Sequence, residues 1–171
     1  MIKKIVDKFL NQGFYNVFIS LNYKKSLIKK YFNDIYKNYS QLNLKFIDEK
    51  TPLGTIGSLK LIKKNDLADN YIVINCDTLI SYDFNKMIEF HLNNKADMTI
   101  IGSETNISIP YGQLKKKGKK VVDIIEKPNF PLILNVGCYI INKKVIPLIP
   151  PKKKYDATDL IQKAIKYNLN V

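Results

Sequence analysis

A chain of 171 residues is long enough to bury a core of its own and short enough to be one domain. Hydrophobic residues at 46% and charged residues at 25% are the balance of an ordinary globular protein, and no stretch is apolar for long enough to span a bilayer. The formal charge of +13 comes from lysine alone, since the sequence holds no arginine. Without the planar guanidinium that reads bases and phosphates two bonds at a time, a dedicated nucleic-acid role is not expected, whereas attraction of small anions is. The lysine-rich N-terminus lacks the apolar core of a secretory signal, so a cytoplasmic location is expected. Cys76 and Cys138 lie far apart without metal-ligand spacing and are expected to be buried, reduced thiols.

In chain order, Ile2, Ile5, Phe9 and Leu10 recur at helical spacing and Gly13 is placed to end that helix. Residues 15–21 form a strand-like apolar run. Leu27, Ile28, Tyr31, Phe32 and Ile35 give a second helix, Lys24 to Lys37, one apolar face. A short strand follows at Leu42 to Ile47, then a break at Pro52 and Gly54, then a helix from Thr55 to Lys64. The run beginning Tyr71-Ile72-Val73-Ile74 does not alternate, the pattern of a parallel strand buried on both faces. A helix from Asp83 to Asn94 and a strand from Ala96 to Ile101 complete an alternation of strands and helices. That alternation predicts a Rossmann-like α/β domain, a mainly parallel sheet with helices on both faces. The second half changes character. Tyr111 to Leu114 and Val121 to Glu126 predict a β-hairpin whose lysine-rich tip turns at Gly118, followed by a strand from Ile133 to Ile141, a short helix at Lys143 to Leu148 and a closing helix from Ala157 to Tyr167. One compact unit is expected over residues 1–171.

Four stretches could carry chemistry. Asp77 sits just past the end of the Tyr71 strand, the edge where open α/β sheets bind ligands. It is a candidate ligand for a cation or a phosphate-bound metal, or an acid that starts a turn. Gly54 and Gly57 remove side chains where a flat or phosphorylated ligand could approach, with Thr55 as a helix cap; a plain strand-to-helix turn reads the same way. Their spacing is not that of a phosphate-binding P-loop. At Glu126-Lys127-Pro128 the proline stops the ladder and is expected to push Lys127 into an extended conformation, setting an acid beside a cation; an exposed ion pair is the other reading. Tyr111-Gly112 and Asn135-Val136-Gly137 are two places where glycine opens space beside a polar group. His91, the one histidine, is expected in a surface or packing role.

In this order, Leu53-Gly54-Thr55-Ile56-Gly57, the strand ending at Asp77, Tyr111-Gly112, Glu126-Lys127-Pro128, Asn135-Val136-Gly137 and Tyr155-Asp156 resemble the sugar-1-phosphate nucleotidyltransferases, most closely their mannose-1-phosphate guanylyltransferase-like branch. The likeness runs along nearly the whole chain. It implies transfer of a nucleotidyl group from a nucleoside triphosphate, GTP in preference, to a sugar 1-phosphate. It further implies that Leu53, Gly54, Thr55 and Gly57 shape the base pocket, that Asp77 holds Mg2+, that Gly112 and Asn135 contact the sugar, and that Glu126 and Lys127 receive its hydroxyls and phosphate, with Asp77 and Lys127 the catalytic pair.

The departures are as specific. Nothing before Ile2 matches the family's first strand and glycine-rich triphosphate loop, no second metal-binding aspartate precedes Val171, and Cys76 stands where glycine is common. The resemblance therefore implies a partial nucleotidyltransferase domain, inactive alone, that would be a fragment or associate with a completing chain or a second copy. A non-catalytic subunit that binds nucleotide or sugar phosphate is the alternative. A related glycosyltransferase ranks below both, because Asp77 is followed by Thr78 and Leu79 rather than by a second acid.

Overall fold

The computed structural model describes all residues, 1–171. They divide into two compact units, Met1–Ile100 with Gly137–Val171, and Ile101–Val136. No helix is long and apolar enough to cross a membrane.

The first unit opens with helix α1 (Ile2–Asn11), whose Ile5, Val6, Phe9 and Leu10 are buried as their spacing predicts. Strand β1 (Asn16–Leu21) follows, then helix α2 (Lys25–Tyr36) and strand β2 (Asn43–Asp48). β1 and β2 run parallel, Asn16 opposite Asn43 and Leu21 opposite Asp48. Val17, Ile19 and Leu21 point into a cluster with Val6, Leu10 and Phe32. The apolar face expected on α2 is buried only at Phe32; Leu27 and Tyr31 are exposed.

The helix expected over Thr55 to Lys64 is instead a pair of 3-10 turns, at Gly57–Leu61 and Lys64–Asp66. Strand β3 (Asn70–Ile74) and helix α3 (Phe84–Asn93) come next, the helix capped by Asp83, whose side chain accepts from the Asn85 amide at 2.8 Å. Strand β4 (Met98–Ser108) begins in the first unit and runs into the second, and strand β7 (Asn129–Asn142) makes the return journey. Helix α4 (Ala157–Lys166) closes the chain behind a capping box of Asp156 and Asp159. A second cluster joins Ile56, Met98, Ile141, Val145 and Leu160.

The mainly parallel sheet is not what forms. Only β1 and β2 are parallel; the three-stranded sheet in the order β3-β7-β4 is antiparallel, and β3 pairs with β7 from Asn70 opposite Asn142 to Ile74 opposite Cys138. The physical reason lies between β1 and β3: no strand joins them, so the parallel pair stops at β1 and the unit divides into two sheets. The strand expected to be buried on both faces is accordingly open. Tyr71 is buried, whereas Ile72, Val73 and Ile74 are half-buried. Cys76, expected inside, is exposed; Cys138 is buried, and burial pushes its thiol up to about 12.

In the second unit, strands β5 (Gln113–Lys117) and β6 (Lys120–Ile125) form the expected hairpin, Lys117 opposite Lys120, with Gly118 at φ +59° in the turn. Every residue of β5 is exposed, and so is all of β6 except Ile125, which is intermediate.

Candidate functional site

The glycine turn belongs to the first unit and is fastened at both ends by carboxylates. Glu49, at the end of β2 and only 8% exposed, accepts the Leu53 amide at 2.8 Å through Oε2 and the Ser20 hydroxyl through Oε1. Its carbonyl also receives the Lys25 ammonium and the Asn22 side-chain amide. On the other side, Asp156 accepts the Thr55 amide at 3.0 Å, and Thr55 Oγ1 accepts the Ala157 amide at 2.8 Å. Thr55 thus caps α4, far away in sequence, rather than a helix of its own. Tyr155 completes the fastening: its amide donates to the Leu53 carbonyl at 2.9 Å, and its carbonyl accepts the Ile56 amide at 3.3 Å.

This close seam explains both glycines. A Cβ on Gly54, at φ +78°, would lie 2.5 Å from Asp156 Oδ1 and 2.6 Å from the Tyr155 carbonyl oxygen. One on Gly57 would lie 3.1 Å from Leu53 Cβ and 3.3 Å from the Lys153 carbonyl oxygen. The space each glycine opens is filled by the chain's own approach to α4. Leu53 and Gly57 are buried beneath the turn, and Thr55 is on its exposed side.

Asp77 is exposed in the turn after β3. Two bonds shape that turn: the Asn75 amide donates to the Gly137 carbonyl at 2.9 Å, and the Thr78 amide to the Asn75 carbonyl at 3.1 Å. Gly137, at φ +76°, is glycine because a Cβ would lie 2.9 Å from Asn75 Cγ. The Lys8 ammonium donates to the Ile80 carbonyl and stands 5.2 Å from the centre of the Phe84 ring, holding the following loop to α1. No group of three or more histidine, cysteine, aspartate or glutamate side chains is arranged to hold a metal. Asp77 alone is no all-protein cage. One carboxylate does fit magnesium, which is commonly held by one or two carboxylates together with substrate phosphates.

The second unit carries Gly112, Glu126, Lys127 and Asn135. Gly112 lies directly against Glu126: a Cβ there would stand 3.0 Å from Glu126 Oε2 and 3.0 Å from Ile124 Cδ1. Glu126, Lys127 and Asn135 are exposed. Lys127 is not extended as the following proline predicts; it has φ +45°, in the left-handed region, just before Pro128 stops β6 from continuing and its carbonyl accepts the Ile109 amide at 3.1 Å. Such a conformation costs a residue with a side chain on the order of 1–2 kcal/mol, and strain of this kind concentrates at functional sites.

Glu49 and Lys8 escaped sequence reasoning. Glu49 sits between Asp48 and Lys50 and looks like part of a charged surface; its position four residues before Leu53 is the one hint that it reaches the turn. Lys8 is one of many lysines, and its reach to Ile80 spans two elements.

The profile of a family described as Nucleotidyl transferase matches residues 1–170. The chain is 32% identical over 135 residues to D-glycero-alpha-D-manno-heptose 1-phosphate guanylyltransferase of Aneurinibacillus thermoaerophilus, covering 78% of this chain and 57% of that one. It is 30% identical over 156 residues to mannose-1-phosphate guanyltransferase of Yarrowia lipolytica, covering 87% of this chain and 42% of that one. The chain thus spans about half the length of the curated relatives it matches. Among solved structures it resembles HddC from Yersinia pseudotuberculosis complexed with GMP-PN, at 31% identity and a TM-score of 0.61, covering 91% of this chain and 68% of that one.

Proposed function

The chain belongs to the nucleotidyl transferase family, and on that premise we propose that it forms part of an enzyme transferring a nucleotidyl group from a nucleoside triphosphate, GTP in preference, to a sugar 1-phosphate. The preference for guanine is supported by the names of the relatives, guanylyltransferases of heptose and mannose 1-phosphates, and by the GMP-PN in the HddC complex. A putative glucose-1-phosphate thymidylyltransferase from Bacillus anthracis, at 18% identity and a TM-score of 0.68, speaks for the fold alone.

In this reading a sugar-phosphate oxygen attacks the α-phosphorus, the new O–P bond forms, and the bond to the β-phosphate breaks with its electron pair leaving on pyrophosphate. Such a step needs charge neutralisation and alignment more than a strong base. Leu53, Gly54, Thr55 and Gly57 form the nucleotide side, a turn whose shape is fixed by Glu49 and Asp156 before any ligand arrives. Glu126 accepts sugar hydroxyls beside the notch left by Gly112, Asn135 adds a polar contact, and Lys127 takes the sugar phosphate. Asp77 would hold Mg2+ against the triphosphate, where the ion supplies charge neutralisation.

The observation that carries the reading is the left-handed Lys127 following a carboxylate that glycine has cleared of side-chain bulk. A test is isothermal titration of the chain with mannose 1-phosphate and, separately, with GTP and Mg2+. Lys127→Ala is expected to weaken mannose 1-phosphate about tenfold, about 1.4 kcal/mol, and to leave GTP unchanged. Equal binding of the sugar phosphate by both proteins, or binding of neither ligand by the parent chain, would overturn it. The alternative, a binding subunit without chemistry, draws on the single acid at the candidate metal site. Binding of both ligands without pyrophosphate release would favour that reading.

A further inference from the structure

Lys115, Lys116, Lys117, Lys119 and Lys120 gather at the tip of the β5-β6 hairpin, and Asp123 is the one acid between Gln113 and Ile125. Asp123 is matched by Lys115 at 3.1 Å, so the other four lysines have no counter-ion within the hairpin. Lys117 stands directly opposite Lys120 in the register, a like-charge cross-strand pair that costs the hairpin stability. The turn does not require it, because Gly118 alone supplies the left-handed residue. An anionic partner at the tip would turn that repulsion into attraction.

Behind the tip the same hairpin is aliphatic. Leu114 faces Ile124 across the ladder, Val121 faces Lys116, and Val122 is passed over where the register shifts. Leu114, Val121, Val122 and Ile124 are each 59–61% exposed. β5 and β6 form a sheet of two strands with no third strand beside them, an arrangement that is marginal in water. Aliphatic side chains left in solvent next to uncompensated charge mark an interaction surface.

Nucleic acid and an anionic bilayer both offer the complementary charge. Residues 113–125 contain neither arginine nor an aromatic residue, so the hairpin lacks both the fork that grips phosphates in pairs and a platform on which a base stacks. Lysine beside aliphatic side chains is instead the composition of a membrane-surface element, in which cations are drawn to acidic headgroups and apolar groups settle at the boundary with the acyl chains. We propose that the β5-β6 hairpin docks the chain on a bilayer surface rich in acidic phospholipids, Lys116, Lys117, Lys119 and Lys120 meeting the headgroups and Leu114, Val121, Val122 and Ile124 resting just beneath them. The hairpin lies wholly within the second unit, and the inference stands apart from the proposed transfer reaction.

The experiment uses the full chain and vesicles of phosphatidylcholine, with and without about one-third phosphatidylglycerol. Co-sedimentation is expected to show binding to the anionic vesicles only, lost as salt rises from about 0.1 to about 0.5 M. Each lysine near such a surface contributes about fivefold in affinity, so Lys117→Gln with Lys120→Gln should weaken binding about twentyfold. Lys4→Gln with Lys30→Gln removes the same charge from exposed positions on α1 and α2 and should weaken it about twofold or less. The chain has no tryptophan, so Val122→Trp supplies a single reporter, whose emission should shift to the blue on anionic vesicles. Absence of binding to those vesicles overturns the proposal. So do equal losses from the two lysine pairs, which would make net charge the cause, and a tryptophan that stays in water on the bound protein. Tighter binding to single-stranded RNA than to anionic vesicles at the same salt would assign the tip to nucleic acid and overturn it as well.

Discussion

The first unit is closed at one corner and open at another. Where β4 begins, Asp97 is 6% exposed and its carboxylate accepts the Asn170 amide at 2.9 Å while pairing with Lys144. Its own amide donates to the Asn170 carbonyl at 2.7 Å, and its carbonyl accepts the Asn142 amide at 3.0 Å. Burial by itself would raise the Asp97 carboxyl, but Lys144 and Asn170 outweigh it and hold the group below its ordinary value. The last residues of the chain are thereby tied to β4 and β7. Along the β1 and β3 edges, by contrast, apolar strands end on a cleft with half their backbone groups turned into it. Similar β-branched sequence lies at both places. What differs is the number of neighbours, so apolar content alone does not tell how firmly a strand is held.

The widest test of that contrast sets two isoleucines against each other. Ile141 on β7 is fully buried and faces Tyr71 across the ladder; Ile72 on β3 lines the cleft. Ile141→Ala is expected to cost about 3 kcal/mol, as for large-to-small changes in a closed core, and Ile72→Ala about 1 kcal/mol, because partial burial leaves less to lose. Urea midpoints measure both. Equal losses would mean that the cleft is closed in solution and the contrast is false.

A smaller effect separates two glycines of similar left-handed backbone. Gly54 at φ +78° has no room for a methyl group, whereas a Cβ on Gly13 at φ +85° meets nothing within 4 Å. Gly13→Ala should cost about 1 kcal/mol, the left-handed penalty alone, and Gly54→Ala about 2 kcal/mol or more, since Asp156 and the Tyr155 carbonyl must move. Glu49→Ala should approach the same loss by leaving the buried Leu53 amide without its acceptor. Glu49→Gln, which keeps an acceptor oxygen, should recover most of it. If Gly54→Ala costs no more than Gly13→Ala, the seam between the turn and α4 is loose and cannot preform a nucleotide pocket.

Element types were legible wherever one side of a segment faced its own neighbours in the chain. The helical spacing of Ile5, Phe9 and Leu10 forms as read, and the apolar run at residues 15–21 becomes a strand over Asn16–Leu21. The β5-β6 hairpin follows because Gly118 and the lysines around it leave little else for that stretch to do. What failed was pairing between distant segments. Alternating strands and helices imply a parallel sheet only if neighbouring strands meet, and β3 meets β7 instead of β1. The same blindness covers the site. Gly54 stood out in the sequence, but Asp156, which holds the amide of the next residue, lies 101 positions beyond Thr55. The left-handed Lys127 runs against the local rule for a residue before proline, so no local reading could have found it.

The least of the expected effects is a pH dependence centred on the closed corner. His91 is 1% exposed; its Nε2 lies 3.1 Å from Asn70 Oδ1, an acceptor, so Nε2 carries the proton, and Nδ1 at 2.8 Å accepts from the Thr99 hydroxyl. Burial pushes the imidazole below its ordinary value, more strongly than nearby Asp97 raises it, and Lys144 adds to the lowering. The unfolded chain therefore takes up a proton near pH 6.5 that the folded chain still refuses. The stability this represents is complete at higher pH and is lost as pH falls below the unfolded value. Asp97, whose carboxyl is held low, contributes its own loss only at more acid pH. Urea midpoints between pH 7 and pH 5 should fall for the parent chain and stay nearly level for His91→Gln, which starts less stable because the bonds to Asn70 and Thr99 are imperfectly replaced. The chain has a single histidine, so the two slopes can differ only through this position. Parallel slopes would show that the imidazole titrates freely and that the corner is as open as the cleft.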